Sequence, residues 1–303
     1  MSLFWCRSLR RIPLLALGAS LVAAPVWGAT FESTMADAAW QLESSQFECR
    51  LSQAIPLYGA AVFSRRAGEE QSFYLRQDSR QLAPGEARLE VQNPLWEEIP
   101  GSRELGRVDV VEGERPVQLD WRDSQQLMAT LQSGKRLVFA RQAWYGEDTQ
   151  VRIMVEPVSF RPALERFHRC QAGLLPVNYD QIARTALYFQ LGQDELPDEE
   201  LEKLEQLALY ARADDAVTRI FIDGHTDAMG LRADNLELSR QRAEWVAQYL
   251  MDRDVPESMI TVRWHGERYP VASNHTPEGR HQNRRVTLRV DRADERLNAS
   301  RQP

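Results

Sequence analysis

Short runs of alternating or β-rich hydrophobic positions dominate the first half of the chain. Turn signals built on glycine and proline separate these runs, as in all-β domains. One stretch inside this region, residues 124–131, has helical spacing instead. The pattern predicts a mostly-β domain of barrel or sandwich type. The predicted strands cover residues 48–55, 60–64, 72–76, 88–91, 107–111, 136–140 and 150–155.

The second half of the chain alternates between strand-like and helix-like patterns. Asn235 fits the cap of the second long helix, which Val255-Pro256 ends. The order predicts an α+β domain of βαβαββ type, a sandwich with a mixed sheet and helices on one side. The predicted strands cover 184–189, 219–222, 260–264 and 285–290, and the predicted helices cover 195–211 and the residues from 235 onward.

A short boundary separates the two patterns. A helix is predicted over 161–171, and Ala172-Gly173 and Pro176 then break the chain. We therefore expect a β-rich partner-binding domain over 29–175. A second domain follows over 176–291, with a polar tail over 292–303.

The first 28 residues have the pattern of a secretory signal peptide. Arg7, Arg10 and Arg11 precede an apolar run over 12–26, and small residues follow it. The run is too short and too interrupted for a membrane span, although a retained anchor is the alternative. A lipoprotein acceptor cysteine lies at the end of such an apolar run. Cys6 precedes the run, so it does not have the position of an acceptor. We expect an exported, periplasmic protein with no stable membrane span.

Composition agrees with a folded two-domain protein that does not bind nucleic acid. The chain has 303 residues, of which 43% are hydrophobic and 27% charged, and this length favours two domains. Its formal net charge of −7 and the absence of a Lys/Arg stripe argue against a nucleic-acid partner. No cofactor motif is present.

Two cysteines remain after the predicted leader, Cys49 and Cys170. In an exported chain, two cysteines favour one disulfide, which would stabilise the first domain by roughly 4 kcal/mol through loop closure. The alternative is a pair of buried free thiols. Metal binding is not expected, because neither a CxxC pair nor a histidine cluster accompanies them.

The most informative stretch joins a polar turn to the following helix. His225-Thr226-Asp227 follows a predicted strand, and Arg242 lies along the edge of the helix's apolar face. Asp227 suits an ammonium group and Arg242 a carboxylate, so a zwitterionic amino-acid head would satisfy both. The alternative is a plain salt bridge between the two side chains.

This stretch and the residues after it resemble the OmpA-like family of peptidoglycan-binding domains. The resemblance implies that Asp227 and Arg242 hold the amine and carboxylate of diaminopimelate in the peptidoglycan stem peptide. Thr226, Asn235 and Leu238 would complete the ligand-binding surface. The matching residues are His225-Thr226-Asp227, Gly230, Asn235, Leu238-Ser239, Arg242-Ala243, Gly266, Pro270, Gly279-Arg280 and Asn283-Arg284-Arg285-Val286.

Two positions complicate this resemblance. The family commonly has an acidic residue directly after the aromatic residue that ends the first strand. Here Gln190 follows Phe189, and the acid is displaced to Asp194. Asn283 is expected to have a structural role, while Arg284 and Arg285 have no assigned role.

The layout of the whole chain resembles the MotY family of flagellar motor proteins. Cys49-Arg50-Leu51, 55–59 and Phe160-Arg161-Pro162 carry this resemblance in the first domain. It implies a non-catalytic component of the T ring that contacts a MotX-like partner and the basal body. Such a protein anchors them to peptidoglycan and supports the incorporation of stator units.

Two alternatives stay open from the sequence. One is a general envelope protein that tethers another partner to peptidoglycan, outside motility. The other is a wall hydrolase, which is disfavoured because His225 and Asp227 have no third metal ligand at suitable spacing.

Aromatic residues of the first domain form its core or a protein-binding face; they include Trp40, Trp96, Trp121 and Trp144.

Overall fold

The computed structural model describes residues 28–93, 101–193 and 195–293. The rest of the predicted leader, Trp96, Asp194 and the tail from residue 294 lie outside the described residues.

Two five-stranded sheets form the first domain and share one hydrophobic core. Phe73 in one sheet stacks on Phe139 in the other at 5.7 Å. The sandwich alternative is therefore confirmed, and the described strands do not form a closed barrel. In spatial order, one sheet contains β1 (Gly28–Phe31), β10 (Gly146–Val155), β9 (Arg136–Ala143), β6 (Gly85–Gln92) and β7 (Ser102–Val110). The other contains β2 (Trp40–Ser44), β3 (Glu48–Ile55), β4 (Gly59–Arg66), β5 (Ser72–Gln77) and β8 (Val117–Leu119).

Three of these ten strands, β1, β2 and β8, were not predicted. All three are edge strands of three to five residues, too short for a clear hydrophobic pattern; in β2, for example, only Trp40 is buried. Gly59 begins β4 at φ +143°, and a Cβ there would lie 2.2 Å from the Arg76 carbonyl oxygen. Only glycine permits this close approach of two strands.

Two helices cover parts of the first domain. The predicted helix over 124–131 is longer, α1 (Trp121–Gln132), and the Asp120 side chain caps it by accepting from the Asp123 backbone N–H. The second is α2 (Phe160–Gln171). Cys170 in α2 and Cys49 in β3 form the predicted disulfide, with Cα atoms 6.0 Å apart. The bridge pins α2 to the sheet.

The aromatic residues of the first domain have different environments. Trp40 lies in the core with its ring 4.9 Å from Phe160, and its indole N–H donates to the Glu156 carbonyl. Trp121 and Trp144 are about half exposed. Core packing therefore explains Trp40 but not the other two.

The second domain is an α+β sandwich around a four-stranded mixed sheet. Only β12 and β13 pair in parallel; the other pairs are antiparallel. The predicted βαβαββ order is confirmed, with two short helices added. In spatial order the strands are β11 (Arg184–Tyr188), β14 (Arg285–Arg292), β12 (Val217–Gly224) and β13 (Ile260–Trp264). The helices are α3 (Tyr179–Ile182), α4 (Asp198–Ala213), α5 (Arg232–Met251) and α6 (Pro277–Asn283), with a 3-10 turn at Glu257–Met259.

The predicted helix boundaries in this domain need correction. α4 begins three residues later than predicted, because Pro197 has extended backbone angles and lies at the position before the first helical residue. α5 begins at Arg232, so the prediction that Asn235 caps it was wrong. Leu231 lies at the cap position, where its side chain accepts no hydrogen bond. The helix also ends at Met251, before Val255-Pro256.

Candidate functional site

The polar turn after β12 is held tightly against α5. Gly224 ends β12 where a Cβ would lie 2.1 Å from the Ser239 carbonyl oxygen, so the strand and helix approach closely. The turn that follows is buried: His225, Thr226 and Asp227 are at most 6% exposed. The Thr226 backbone N–H donates to the Gly266 carbonyl oxygen at 3.0 Å, which ties the turn to the loop after β13.

Asp227 uses both carboxylate oxygens within the protein. Oδ1 accepts from the Met229 backbone N–H at 3.0 Å, and Oδ2 accepts from Nη1 of Arg284 at 2.9 Å. The ion pair is buried, with the Asp227 and Arg284 side chains 6% and 11% exposed. Arg284, to which the sequence assigned no role, is thus the partner that orients Asp227.

Arg242 is fully buried and directs its guanidinium at the loop after β11. Nε and Nη2 donate to the Gln193 carbonyl oxygen at 3.0 and 2.6 Å, and Nη2 also lies 3.4 Å from the Gln190 carbonyl oxygen. The guanidinium carbon lies 4.7 Å from the Phe189 ring centroid, a cation–π contact. The loop after β11 therefore packs against Arg242, while Asp194 itself lies outside the described residues.

Asp227 and Arg242 both lie near the end of β11, where Arg284 and Phe189 link them. Arg284 pairs with Asp227 and also donates from Nε to the Phe189 carbonyl oxygen at 3.3 Å, while the Phe189 ring lies against Arg242. The ion pair observed for Asp227 is with Arg284, so a plain Asp227–Arg242 salt bridge is not what the structure shows.

The other three predicted ligand residues lie in the polar turn and on α5. Asn235, 5% exposed, donates to Oε2 of Glu267 at 2.9 Å instead of capping α5. Leu238 is half-buried one turn before Arg242. The Thr226 hydroxyl is buried with no hydrogen-bond partner among the described residues.

His225 is held neutral by its surroundings. Its ring stacks on His265 with centroids 5.0 Å apart. Burial, assisted by the positive charges of Arg285 and His265, lowers the pKa of His225 to about 4, while Asp223 acts in the opposite direction. At neutral pH the ring therefore carries no charge, which fits a turn-shaping residue.

Asn283 and Arg285 support the loop that precedes α6. Asn283 Oδ1 accepts from the Val271 and Ala272 backbone N–H groups at 2.8 and 3.1 Å, and Nδ2 donates to the Ala272 carbonyl oxygen. The expected structural role of Asn283 is thus observed. Arg285 donates to the Tyr269 carbonyl oxygen at 3.2 Å, and burial lowers its pKa.

The predicted site is a cluster of buried polar and charged side chains. A buried guanidinium, a buried carboxylate and a buried hydroxyl lie at one end of the sheet. Among residues 28–93, 101–193 and 195–293, no three His, Cys, Asp or Glu side chains converge on a metal position. No helix in this part of the chain is long and apolar enough to cross a bilayer.

Comparisons with known proteins match each half of the chain separately. A family model described as the MotY N-terminal domain matches residues 31–176, and one described as the OmpA family matches residues 188–284. Among solved structures, the peptidoglycan-associated lipoprotein from Burkholderia pseudomallei is 30% identical. It covers 37% of this chain and 93% of that chain, with a TM-score of 0.35.

Curated relatives include one that matches nearly the whole chain. The sodium-type flagellar protein MotY of Vibrio parahaemolyticus is 28% identical over 276 residues, which cover 88% of this chain and 92% of the relative. Outer membrane protein A of Bordetella avium is 38% identical over 103 residues; the match covers 34% of this chain and about half, 53%, of that relative. This chain is thus similar to the MotY N-terminal domain over residues 31–176, to the OmpA family over residues 188–284, and to a flagellar MotY protein over most of its length.

Proposed function

We propose that the second domain, residues 176–291, binds the diaminopimelate of peptidoglycan stem peptides at the end of β11. Arg242 binds the ligand carboxylate and Asp227 the ligand ammonium, while Thr226, Asn235 and Leu238 line the surface around them. The observation that carries this proposal is a fully buried guanidinium directed at backbone carbonyls beside a buried Asp227–Arg284 pair. The similarity of residues 188–284 to the OmpA family supports it.

Arg242 can exchange weak acceptors for strong ones. Its fork now donates to the carbonyl oxygens of Gln193 and Gln190. A ligand carboxylate offers two charged oxygens in the same geometry, and such charge-assisted bonds are about twice as strong. Binding therefore requires the loop after β11 to move away from Arg242.

Asp227 retains capacity for a ligand after its internal contacts are counted. A carboxylate has about four acceptor sites, and the Met229 N–H and Arg284 occupy two of them. A ligand ammonium can occupy the others. Arg284 then acts as a positioning residue that keeps the carboxylate facing the site.

Sedimentation of the full chain with purified peptidoglycan tests this site. Arg242→Lys keeps the charge but removes the fork, and Asp227→Asn keeps the shape but removes the charge. Each should weaken binding by about tenfold or more. Arg240→Lys, on the exposed side of the same helix, is the matched control and should bind like wild type. Soluble stem peptide containing diaminopimelate should compete.

Two results would contradict the proposed site. One is a wild-type chain that stays in solution. The other is a pair of variants, at Arg242 and Asp227, that both sediment as well as wild type. Circular dichroism of each variant separates loss of binding from loss of fold.

We further propose that the first domain, residues 29–175, attaches this wall anchor to the flagellar motor. The near full-length similarity to a flagellar MotY protein supports this assignment. The partners would be a MotX-like protein and the basal body, in a T ring that holds the motor to the wall and supports stator incorporation. Export by the leader over 1–28 would place the protein in the periplasm, at the cell wall.

Swimming assays distinguish this proposal from a general envelope tether. Deletion should abolish swimming while flagella assemble normally, and the Arg242→Lys variant should not restore motility. Normal swimming in the deletion strain would instead favour a tether unrelated to motility. The proposed protein acts without catalysis, so release of soluble muropeptides from peptidoglycan by the purified chain would contradict this part of the proposal.

A further inference from the structure

The second domain exposes one face of its sheet, and this face is rich in arginine. Alternation along β12 buries Ile220 and Ile222 completely, while Arg219 is exposed and Phe221 is half-buried. In the neighbouring strand β14, Arg289 lies directly opposite Phe221. The exposed face is on the opposite side of the sheet from the residues that build the core.

Three guanidinium groups surround the Phe221 ring. Their central carbons lie 4.3 Å (Arg289), 5.1 Å (Arg263) and 5.7 Å (Arg219) from the ring centroid. The aromatic face attracts each guanidinium group. The three positive charges, however, repel one another because all of them lie around one ring. Arg184 adds a fourth, since it lies opposite Arg289 on β11, a cross-strand pairing of like charges that destabilises a sheet.

Carboxylates on this face balance only part of the positive charge. Asp223 accepts from Arg263 and contacts Nε2 of His265, each at 2.8 Å, and Asp291 pairs with Arg289 at 3.2 Å. Arg184 and Arg219 have no carboxylate within ion-pair distance among the described residues. Four arginines thus face two aspartates, in a chain whose formal net charge is −7.

Three of these arginines line one cavity. It has a volume of about 380 Å³ and extends across all four strands, with Arg184, Arg263, Arg289, the carboxylate of Asp223 and the hydroxyl-bearing Thr287 in its wall. The cavity is large enough for a tetrahedral anion and part of the molecule that carries it.

We propose that this cavity, lined by Arg184, Arg263 and Arg289, binds a phosphate monoester group. Arginine forks match phosphate oxygens in pairs, and the Thr287 hydroxyl can donate as well. Four arginines and two aspartates leave this face with an excess of two positive charges, which a phosphate dianion would balance. A single carboxylate would leave one of these positive charges without a counter-ion. The phosphate belongs either to a lipid headgroup or to a soluble molecule, and the site is independent of the wall-binding proposal.

Calorimetric titration and vesicle flotation of the full chain test the site. Inorganic phosphate is the soluble probe, with chloride at matched ionic strength as its reference. Vesicles of phosphatidylcholine with phosphatidic acid are the lipid probe, with pure phosphatidylcholine vesicles as theirs. Arg184→Gln and Arg289→Gln should each weaken binding about tenfold. Arg240→Gln, which removes a charge on α5 away from this face, should leave binding unchanged.

Each outcome decides the proposal. Binding to inorganic phosphate alone supports it with a soluble source, and binding to phosphatidic acid vesicles supports it with a lipid source. The proposal is overturned if wild type binds neither probe more than its reference, or if Arg240→Gln loses as much affinity as Arg289→Gln. Peptidoglycan sedimentation of Arg289→Gln should match wild type, which keeps this test separate from the wall-binding site.

Discussion

Arg284 links two parts of the candidate site that are far apart in the sequence. Its Nη1 pairs with Asp227, 57 positions away, and its Nε donates to the Phe189 carbonyl oxygen, 95 positions away. Phe189 in turn lies against Arg242. The residue pattern identified Asp227 and Arg242 as candidates, but it carried no information on which guanidinium pairs with which carboxylate. The Asn283-Arg284-Arg285 motif was the available signal, and its role was not resolved.

The buried Asp227–Arg284 pair should stabilise the second domain as a unit. Asp227→Asn leaves the Arg284 charge buried without its counter-ion, so the free energy of unfolding should fall by about 3 kcal/mol. Urea denaturation measures this change. The double variant Asp227→Asn/Arg284→Met should lose less than the sum of the two single losses. Additive losses would show that the two side chains are not coupled.

His225 should make the stability of the second domain fall on acidification. Its pKa is about 4 in the folded protein and 6.5 as an ordinary histidine, since burial disfavours the charged ring. The unfolded chain therefore takes up a proton first, and stability falls as the pH drops from about 6.5 towards 4. The total loss is roughly 3 kcal/mol for a shift of this size.

A neutral substitute provides the control for this effect. His225→Gln should make the free energy of unfolding less dependent on pH between 7 and 4.5, as measured by urea denaturation at each pH. Arg285, His265 and Asp223 face His225 and stay unchanged in this comparison. An unaltered pH profile in the variant would assign the dependence to other groups.

At the scale of elements, local pattern identified the long strands and helices but predicted many of their ends poorly; β7 and β10, for example, were predicted only over 107–111 and 150–155. β3 and β13 have the predicted bounds. α5 begins three residues earlier than predicted, because Asn235 is used to bind Glu267 across the fold rather than to cap the helix. The edge strands β1, β2 and β8 depend on pairing with distant neighbours, which their own short sequences do not encode.

The Cys49–Cys170 disulfide should contribute strongly to the first domain. It closes a loop of 121 residues between β3 and α2, which in the chain-entropy model stabilises by roughly 4–5 kcal/mol. The Cys49→Ala/Cys170→Ala variant should therefore lower the melting temperature of the first domain in calorimetry. Unchanged melting of this domain in the variant would contradict the assignment.

At the scale of the whole molecule, the two domains contact each other directly. The Phe47 ring, in the turn between β2 and β3, lies 5.3 Å from that of Tyr210 in the second domain's core. Asn178 also donates to the Ala67 carbonyl oxygen at 3.0 Å, and Arg66 pairs with Asp180 at 2.7 Å. A wall-bound second domain would therefore transmit force to the first through packed side chains as well as through the linker.

Phe47→Ala should uncouple the two domains. Removing the ring should weaken the packing between the domains by about 1–2 kcal/mol. It removes buried apolar area and also an aromatic contact, which stabilises modestly more than its buried area alone. Calorimetry should then show two more widely separated melting transitions, with each domain still folded. Leu57→Ala, at a residue 89% exposed in the first domain, is the control. A melting profile identical to wild type would mean that this contact does not couple the domains.

By itself, the sequence determined the two-domain layout, most of the regular elements and the candidates Asp227 and Arg242, and it favoured the disulfide. These features depend on residue type and on spacing along the chain, which periodicity and motifs record directly. The tertiary structure decided the sandwich form of the first domain, the pairing of Asp227 with Arg284 and the arginine cluster around Phe221. Each of these depends on distances between residues that are far apart in sequence. Those distances are set only when strands pair and helices pack against their neighbours in the fold.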